Sequence, residues 1–226
     1  MARLGIVTGL ASEMDCLAML DSDGAAAVLC AGADSGRAER AAGRLIDLGC
    51  EGLLSFGMAG GLDPDLSPGA VLMPHRVLDA DGEAIFVDGL WRVRLAGLLR
   101  AEAIGDGEVA GSIELIADVA AKQRLRQQTR AAAVDMESVA LGRVARRAGV
   151  PFLVLRVIAD PAHRAPPLWT VKAVDEKGRI RISAALWALL RHPADLPTVL
   201  GLARDSRTAL TALRRVAVSA RPLFGF

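Results

Sequence analysis

The chain has 226 residues, 52% of them hydrophobic, and 27 Lys and Arg stand against 26 Asp and Glu for a formal net charge of +1. The length suits one α/β domain with a sizeable core, and the balanced charge gives no electrostatic footprint for nucleic acid. Cys16, Cys30 and Cys50, and likewise His75, His163 and His192, are widely spaced with no CxxC or HExxH pattern, so neither a disulfide framework nor a metal or other cofactor is expected, and a reducing cytoplasm is the expected compartment.

In chain order, residues 3–9 (RLGIVTG) predict a buried strand and 12–20 a helix with Ser12 as its cap. A second apolar run covers 25–32. Residues 35–49 carry apolar side chains at helical spacing and stop at Gly49. Residues 52–62 read as a strand entering a glycine-rich turn, and 69–79 and 83–89 read as strands. A helical pattern over 91–103 is followed by a strand over 107–113 and a helix with a solvated basic face over 117–129. Residues 131–135 form a strand, 136–149 a helix and 151–160 a buried strand, and "PAHRAPP" (161–167) cannot continue as regular structure. Residues 169–182 are charged and give no clear pattern; helices are expected over 183–192 and 205–220. The opening residues lack a signal-peptide pattern, and no stretch reaches the roughly 18 apolar residues of a membrane span.

Strands alternating with helices imply βαβ units and a largely parallel sheet, whose ligands bind beyond the carboxyl ends of the strands. Four places there hold chemistry. Glu13 and Asp15 follow the first strand, where acids also complement a helix dipole. Gly57, Met58, Ala59 and Gly60 follow the third strand, either as a tight turn or as backbone that approaches ligand oxygens. Asp135-Met136-Glu137 opens a helix: Asp135 fits an N-cap, but the capping-box position falls on Ser138, so Glu137 is not explained by capping. A carboxylate there could accept bonds from two vicinal hydroxyls, with Met136 against an apolar sugar face or simply filling core. Asp160 precedes Pro161, an ordinary turn start, yet an Asp at the mouth of an apolar pocket can act as an acid.

The ordered segments "GIVTGLASEMD", "SFGMAGGLDPDLSPGAVLMP", "AVDMESVAL" and "LRVIADPA" resemble the purine nucleoside phosphorylase / methylthioadenosine nucleosidase superfamily over about residues 3–165. The resemblance implies a three-layer α/β fold with a central mixed, partly barrel-like sheet flanked by helices. It implies Glu13 as the residue that activates water, Met136 and Glu137 as the ribose-binding pair, and Asp160 as the proton donor to the purine. The backbone of residues 57–60 would line the sugar and nucleophile site, and Leu115 and Ile116 would wall the base pocket. Two departures from the phosphorylase branch favour water over phosphate. Glu13 stands in place of a Gly-Asp-Pro-x-Arg loop, and Met58 stands where a hydroxyl residue is usual. Ser35, Arg37 and Arg40 offer a competing anion site or a solvated helix face.

Within the superfamily, the wording of these segments and the Arg-rich C-terminal region are most similar to the hopanoid-associated phosphorylase-like subgroup. That implies adenine release from adenosylhopane. The expectation is one domain over 1–226, with about 192–226 as an appended helical segment. The implied partner is a small nucleoside, lipid-linked in this subgroup, with a homo-oligomer (a dimer) as the assembly. Arg204, Arg207, Arg214, Arg215 and Arg221 among apolar residues fit either peripheral contact with the inner membrane face or a packed helix pair. Alternatives are a nucleosidase of the methylthioadenosine, adenosylhomocysteine or futalosine type, a phosphorylase, and a catalytically silent nucleoside- or lipid-binding protein.

Overall fold

Five apolar or small residues, Leu4–Thr8, form the buried strand β1, and the chain turns at Gly9 into the one-turn helix α1, Ala11–Met14. The computed structural model describes residues 3–18, 26–167, 169–172, 175, 177–179, 181–221 and 223–226. In order there follow β2 (Ala26–Cys30), α2 (Ser35–Asp47), β3 (Gly52–Gly61), β4 (Val71–Leu72), β5 (Arg76–Leu78), β6 (Ala84–Phe86) and α3 (Gly89–Leu98). Then come β7 (Ile104–Gly105), β8 (Val109–Gly111), α4 (Val119–Thr129), β9 (Ala133–Asp135), α5 (Ser138–Ala148) and β10 (Phe152–Asp160). The helices α6 (Trp169–Lys172), α7 (Ile182–Arg191) and α8 (Leu196–Ser219) end the chain. Asp34, Asp88 and Asp118 cap α2, α3 and α4, each accepting the backbone N–H three residues on.

The strands form one ten-stranded mixed sheet in the order β6-β5-β8-β9-β3-β10-β4-β7, with β1 between β2 and β3. β10 lies parallel to β3 from Phe152↔Leu53 to Asp160↔Gly60, and so fills one edge of β3 along most of its length. The other edge changes partner. β1 pairs with it in parallel as far as Val7↔Ser55, and β9 pairs antiparallel at Gly60↔Val134 and Gly61↔Ala133. Between the two, residues 56–59 of β3 have no strand on that edge among the described residues.

Alternation along the buried strands sends side chains to two layers. Leu54, Phe56, Leu153, Leu155 and Val157 pack with Trp91 and Leu95 of α3 and with Ala209, Leu213 and Val216 of α8. Leu53, Ala59, Phe152, Val154 and Ile158 pack with Ala38, Ala42 and Leu45 of α2 and with Leu141, Val144 and Ala145 of α5. The result is the expected three layers. No helix among the described residues is long and apolar enough to cross a membrane.

Several local expectations need correction. The first helix is capped at Leu10, which leaves Ser12 inside it, and positions 19–20 of the expected helix lie outside the described residues, as does Ala25 of the second strand. The glycines at 57, 60 and 61 continue β3 instead of forming a turn, because β10 and β9 pair with them. The sheet needs no correction: it is mixed as the resemblance implies and parallel in six of the nine strand pairings among the described residues, with β9, β4 and β6 each antiparallel to a neighbour. The basic helix over 117–129 is not solvated all along, since Lys122 is 2% exposed. The last helix begins at Leu196, well before residue 205, with Pro197 in its first turn.

Candidate active site

The gap on the edge of β3 is where the carboxylates gather. With no strand beside it, the Met58 N–H needs another acceptor, and Glu13 Oε1 takes it at 2.8 Å. Glu13 Oε2 meanwhile accepts the N–H groups of Gly9 (2.8 Å) and Leu10 (2.9 Å). Glu13 is therefore a helix-start acceptor and a cross-link from the end of β1 to β3 at once, and it is buried. Gly57 permits this approach: a Cβ there would stand 2.6 Å from Glu13 Oε2 and 2.7 Å from Arg156 Nη1. At Gly9 a Cβ would stand 2.7 Å from Glu137 Oε1 and 3.5 Å from Glu13 Oε2, so the two glutamates converge on one glycine.

Arg156 shares the α2/α5 face of β10 with Val154 and Ile158, lies opposite Gly57 and is fully buried. Its Nε donates to Asp135 Oδ2 at 2.6 Å, and its Nη2 donates to Ser55 Oγ at 2.7 Å, Glu137 Oε2 at 3.1 Å and Ser138 Oγ at 3.2 Å. Asp135 Oδ1 accepts the Ser138 N–H at 3.1 Å, the bond expected of a cap, while Oδ2 also takes the Ser138 hydroxyl. α5 starts two residues later than expected, so Glu137 and not Asp135 holds its N-cap position, although the Glu137 side chain makes no capping bond. Arg156 Nη1 is buried and makes no hydrogen bond among the described residues.

Asp160 ends β10 beside Gly60, where the register slips past Ile158 and re-aims the strand. Its Oδ2 is held by Lys122 Nζ, which also donates to the carbonyl of Pro161 at 3.1 Å. Met136 is half-buried and borders a cavity of about 140 Å³ lined also by Ser35, Gly36, Asp79, Ser112 and Arg143. Ile116 packs on the cluster of Leu62, Ala110, Ala131 and Val134, while Leu115 lies half-buried in the loop between β8 and α4. Arg37 is consumed by the carbonyls of Ala31 (2.7 Å) and Gly32 (2.8 Å), and Arg40 is exposed.

Burial sets the protonation of this cluster. It pushes Glu137 up to about 8, against the pull of Arg156 and with help from Asp135 and Glu13. It raises Glu13 above the usual carboxylate range despite Arg156 and three backbone N–H groups. It raises Asp160 too, opposed chiefly by Lys122. For Arg156 burial acts downward, but Asp135, Glu137 and Glu13 outweigh it and hold the guanidinium charged. The site thus offers two protonatable glutamates on one side of β3 and an aspartic acid at the end of β10. Sequence reasoning named these three. It missed Arg156, Ser55, Ser138 and Lys122, although a lone arginine inside an apolar strand was a visible signal.

The family model of the phosphorylase superfamily matches residues 20–191. No curated protein matches the chain in sequence. Among solved structures, the native futalosine hydrolase of Helicobacter pylori strain 26695 superposes with a TM-score of 0.70 at 17% identity, covering 96% of this chain and 97% of that one. A 5′-methylthioadenosine/S-adenosylhomocysteine nucleosidase from Neisseria meningitidis, in complex with methylthio-immucillin-A, gives 0.71 at 14% identity, covering 96% and 98%. The corresponding nucleosidase from Colwellia psychrerythraea 34H, in complex with adenine, gives 0.66 at 19%, covering 72% and 84%. The fold is shared with these nucleosidases, and the family match spans most of the sequence: the chain belongs to the phosphorylase superfamily, as an enzyme of the N-glycosyl hydrolase or pentosyl-transferring kind.

Proposed function

We propose that the chain is a nucleosidase that hydrolyses the N-ribosidic bond of an adenine nucleoside. Asp160 gives a proton to the adenine N7, which makes the base a better leaving group. Glu137 accepts the ribose hydroxyls and stabilises the cationic sugar, with Met136 against its apolar face. Glu13 orients and deprotonates the attacking water, and the backbone of residues 57–60 lines the sugar site. The observation that carries the reading is the convergence of Glu13 and Glu137 at Gly9, with the unpartnered Nη1 of Arg156 beside Glu13. Such a site suits water better than phosphate. Glu13 takes up the Gly9, Leu10 and Met58 N–H groups that a phosphate would need, and the charge of Arg156 is already shared with Asp135 and Glu137.

For the aglycone side we favour adenosylhopane, giving ribosylhopane and adenine in hopanoid synthesis. Besides the sequence resemblance, Trp187, Leu190, Leu196 and Leu200 are exposed apolar side chains on α7 and α8, near in sequence to Arg191, Arg204 and Arg207. This suits a protein that takes its substrate at the inner face of a membrane. Exposed Phe86, Leu90 and Val93 favour a homodimer. A second reading, a nucleosidase of the methylthioadenosine or futalosine type, is favoured by the size of the cavity beside Met136, about 140 Å³, which fits a small 5′ substituent and not a pentacyclic lipid. Adenine or hypoxanthine release is to be measured on adenosylhopane in detergent, methylthioadenosine, adenosylhomocysteine and futalosine. Adenosylhopane turning over fastest supports the first reading, and methylthioadenosine or futalosine leading supports the second.

A further inference from the structure

Lys122 is the one buried lysine among the described residues, and nothing in the proposed chemistry above uses it. It sits one turn into α4, a helix whose other basic residues face solvent or the Asp63 carboxylate. Its ammonium is turned inward to Asp160 Oδ2 and the carbonyl of Pro161, with the Asp160 carbonyl at 3.5 Å. Asp160 Oδ1 accepts no hydrogen bond among the described residues. The lysine thus claims one carboxyl oxygen and leaves the other for a ligand. Burying an ammonium is costly, and the cost is offset here only by the aspartate and carbonyls it meets.

We propose that Lys122 is a positioning residue for Asp160: it fixes the carboxyl so that Oδ1 faces the purine, and it stabilises the negative charge that appears there when the proton leaves. The inference rests on the nucleosidase reading. As the C1′–N9 bond breaks, its electron pair goes to the purine ring. The ring takes the proton from Asp160 Oδ1 at N7, and Asp160 becomes a carboxylate. Water adds to C1′ and yields its proton to Glu13, so atoms and charge balance. An ammonium already in place beside the nascent carboxylate lowers the barrier without reorganisation. The other charged groups facing Asp160 are Arg164, in the segment after β10, and Asp205 of α8. Those two pair with each other, so their fields largely cancel and Lys122 dominates.

Adenosine and N7-methyladenosine are the probes, because the methylated base is already cationic and leaves without an acid. K122M should lower kcat on adenosine about 10- to 100-fold with KM little changed, and should leave N7-methyladenosine within about threefold of wild type. Loss of the cation lets Asp160 hold its proton to higher pH, so the alkaline limb of the kcat profile should move up by about one to three pH units. K122R, which keeps the charge, should hold the wild-type limb, and K122Q replaces K122M if the latter does not fold. Equal losses on both nucleosides with an unmoved limb would overturn the proposal. The titration of the Asp160 carboxyl by 13C NMR, with D160N for assignment, needs no turnover. If the wild type cleaves neither these nucleosides nor the 5′-substituted ones named above but this titration still rises in K122M or K122Q, the nucleosidase reading fails and the pair stands; an unchanged titration overturns the pair.

Discussion

Two buried cations serve the site, and they are built on opposite plans. Arg156 projects from the middle of β10 and is shared among Asp135, Glu137, Ser55 and Ser138. Lys122 reaches in from α4 to a single carboxylate and the backbone beside it. Around Arg156 carboxyl groups outnumber the cation, so burial keeps a proton on Glu137 up to about 8. Around Lys122 the pairing is one to one, and the lysine opposes the upward push of burial on Asp160. In the proposed mechanism the first arrangement holds geometry at the sugar end, and the second sets acidity at the base end. A rigid, planar, multi-donor guanidinium suits the one, and a compact point charge suits the other.

The sharpest way to break this division is at the base end. D160N keeps the shape of the side chain and removes the acid, and should cost about 10²- to 10⁴-fold in kcat on adenine nucleosides. A rate near wild type would show that the base leaves without help from β10. At the sugar end the largest effect should be on stability. R156M leaves Asp135 and Glu137 buried without their cation and should destabilise the fold by about 3–5 kcal/mol, read from urea unfolding. A loss of activity with unfolding unchanged would mean that Arg156 is chemical and not architectural.

Smaller effects sharpen the comparison. E137A should shrink the preference for ribo- over 2′-deoxyribonucleosides by about tenfold, the cost of leaving one buried hydrogen bond unmade; equal weakening of both would end the sugar-clamp role. A carboxyl raised from the ordinary 4.5 to about 8 contributes stability that is fully present below the lower value and lost as pH rises through the higher one. E137Q cannot ionise. Its melting temperature should therefore gain on the wild type between pH 5 and pH 9, and parallel curves would refute a protonated Glu137.

How far these two ends were legible in the sequence differs for a physical reason. Glu13, Glu137 and Asp160 stand just beyond or at the ends of apolar runs, where an open α/β sheet exposes its ligands, and local rules already failed to explain Glu137 as a cap. The alternation of strands and helices likewise foretold the layers. Arg156 carried a readable sign, a single charge inside "PFLVLRVIAD", since a charge in a strand buried on both faces must have partners. Lys122 carried none. In "AAKQRLRQQT" its neighbours are just as basic, and which one turns inward depends on α4 meeting the end of β10, a contact between residues 38 positions apart. The change of partner along β3 was hidden for the same reason. Strand pairing is non-local, so "GMAGG" could read as a turn although β9 and β10 draw it out as strand.

The central claim is that water, not phosphate, attacks the sugar at a site of gathered carboxylates. The most direct test incubates the enzyme with an adenine nucleoside it turns over, in buffer without phosphate and with phosphate added, and identifies the sugar product. The predicted result is adenine and the free reducing sugar at the same rate in both. Adenine release that requires phosphate and yields the sugar 1-phosphate would contradict it.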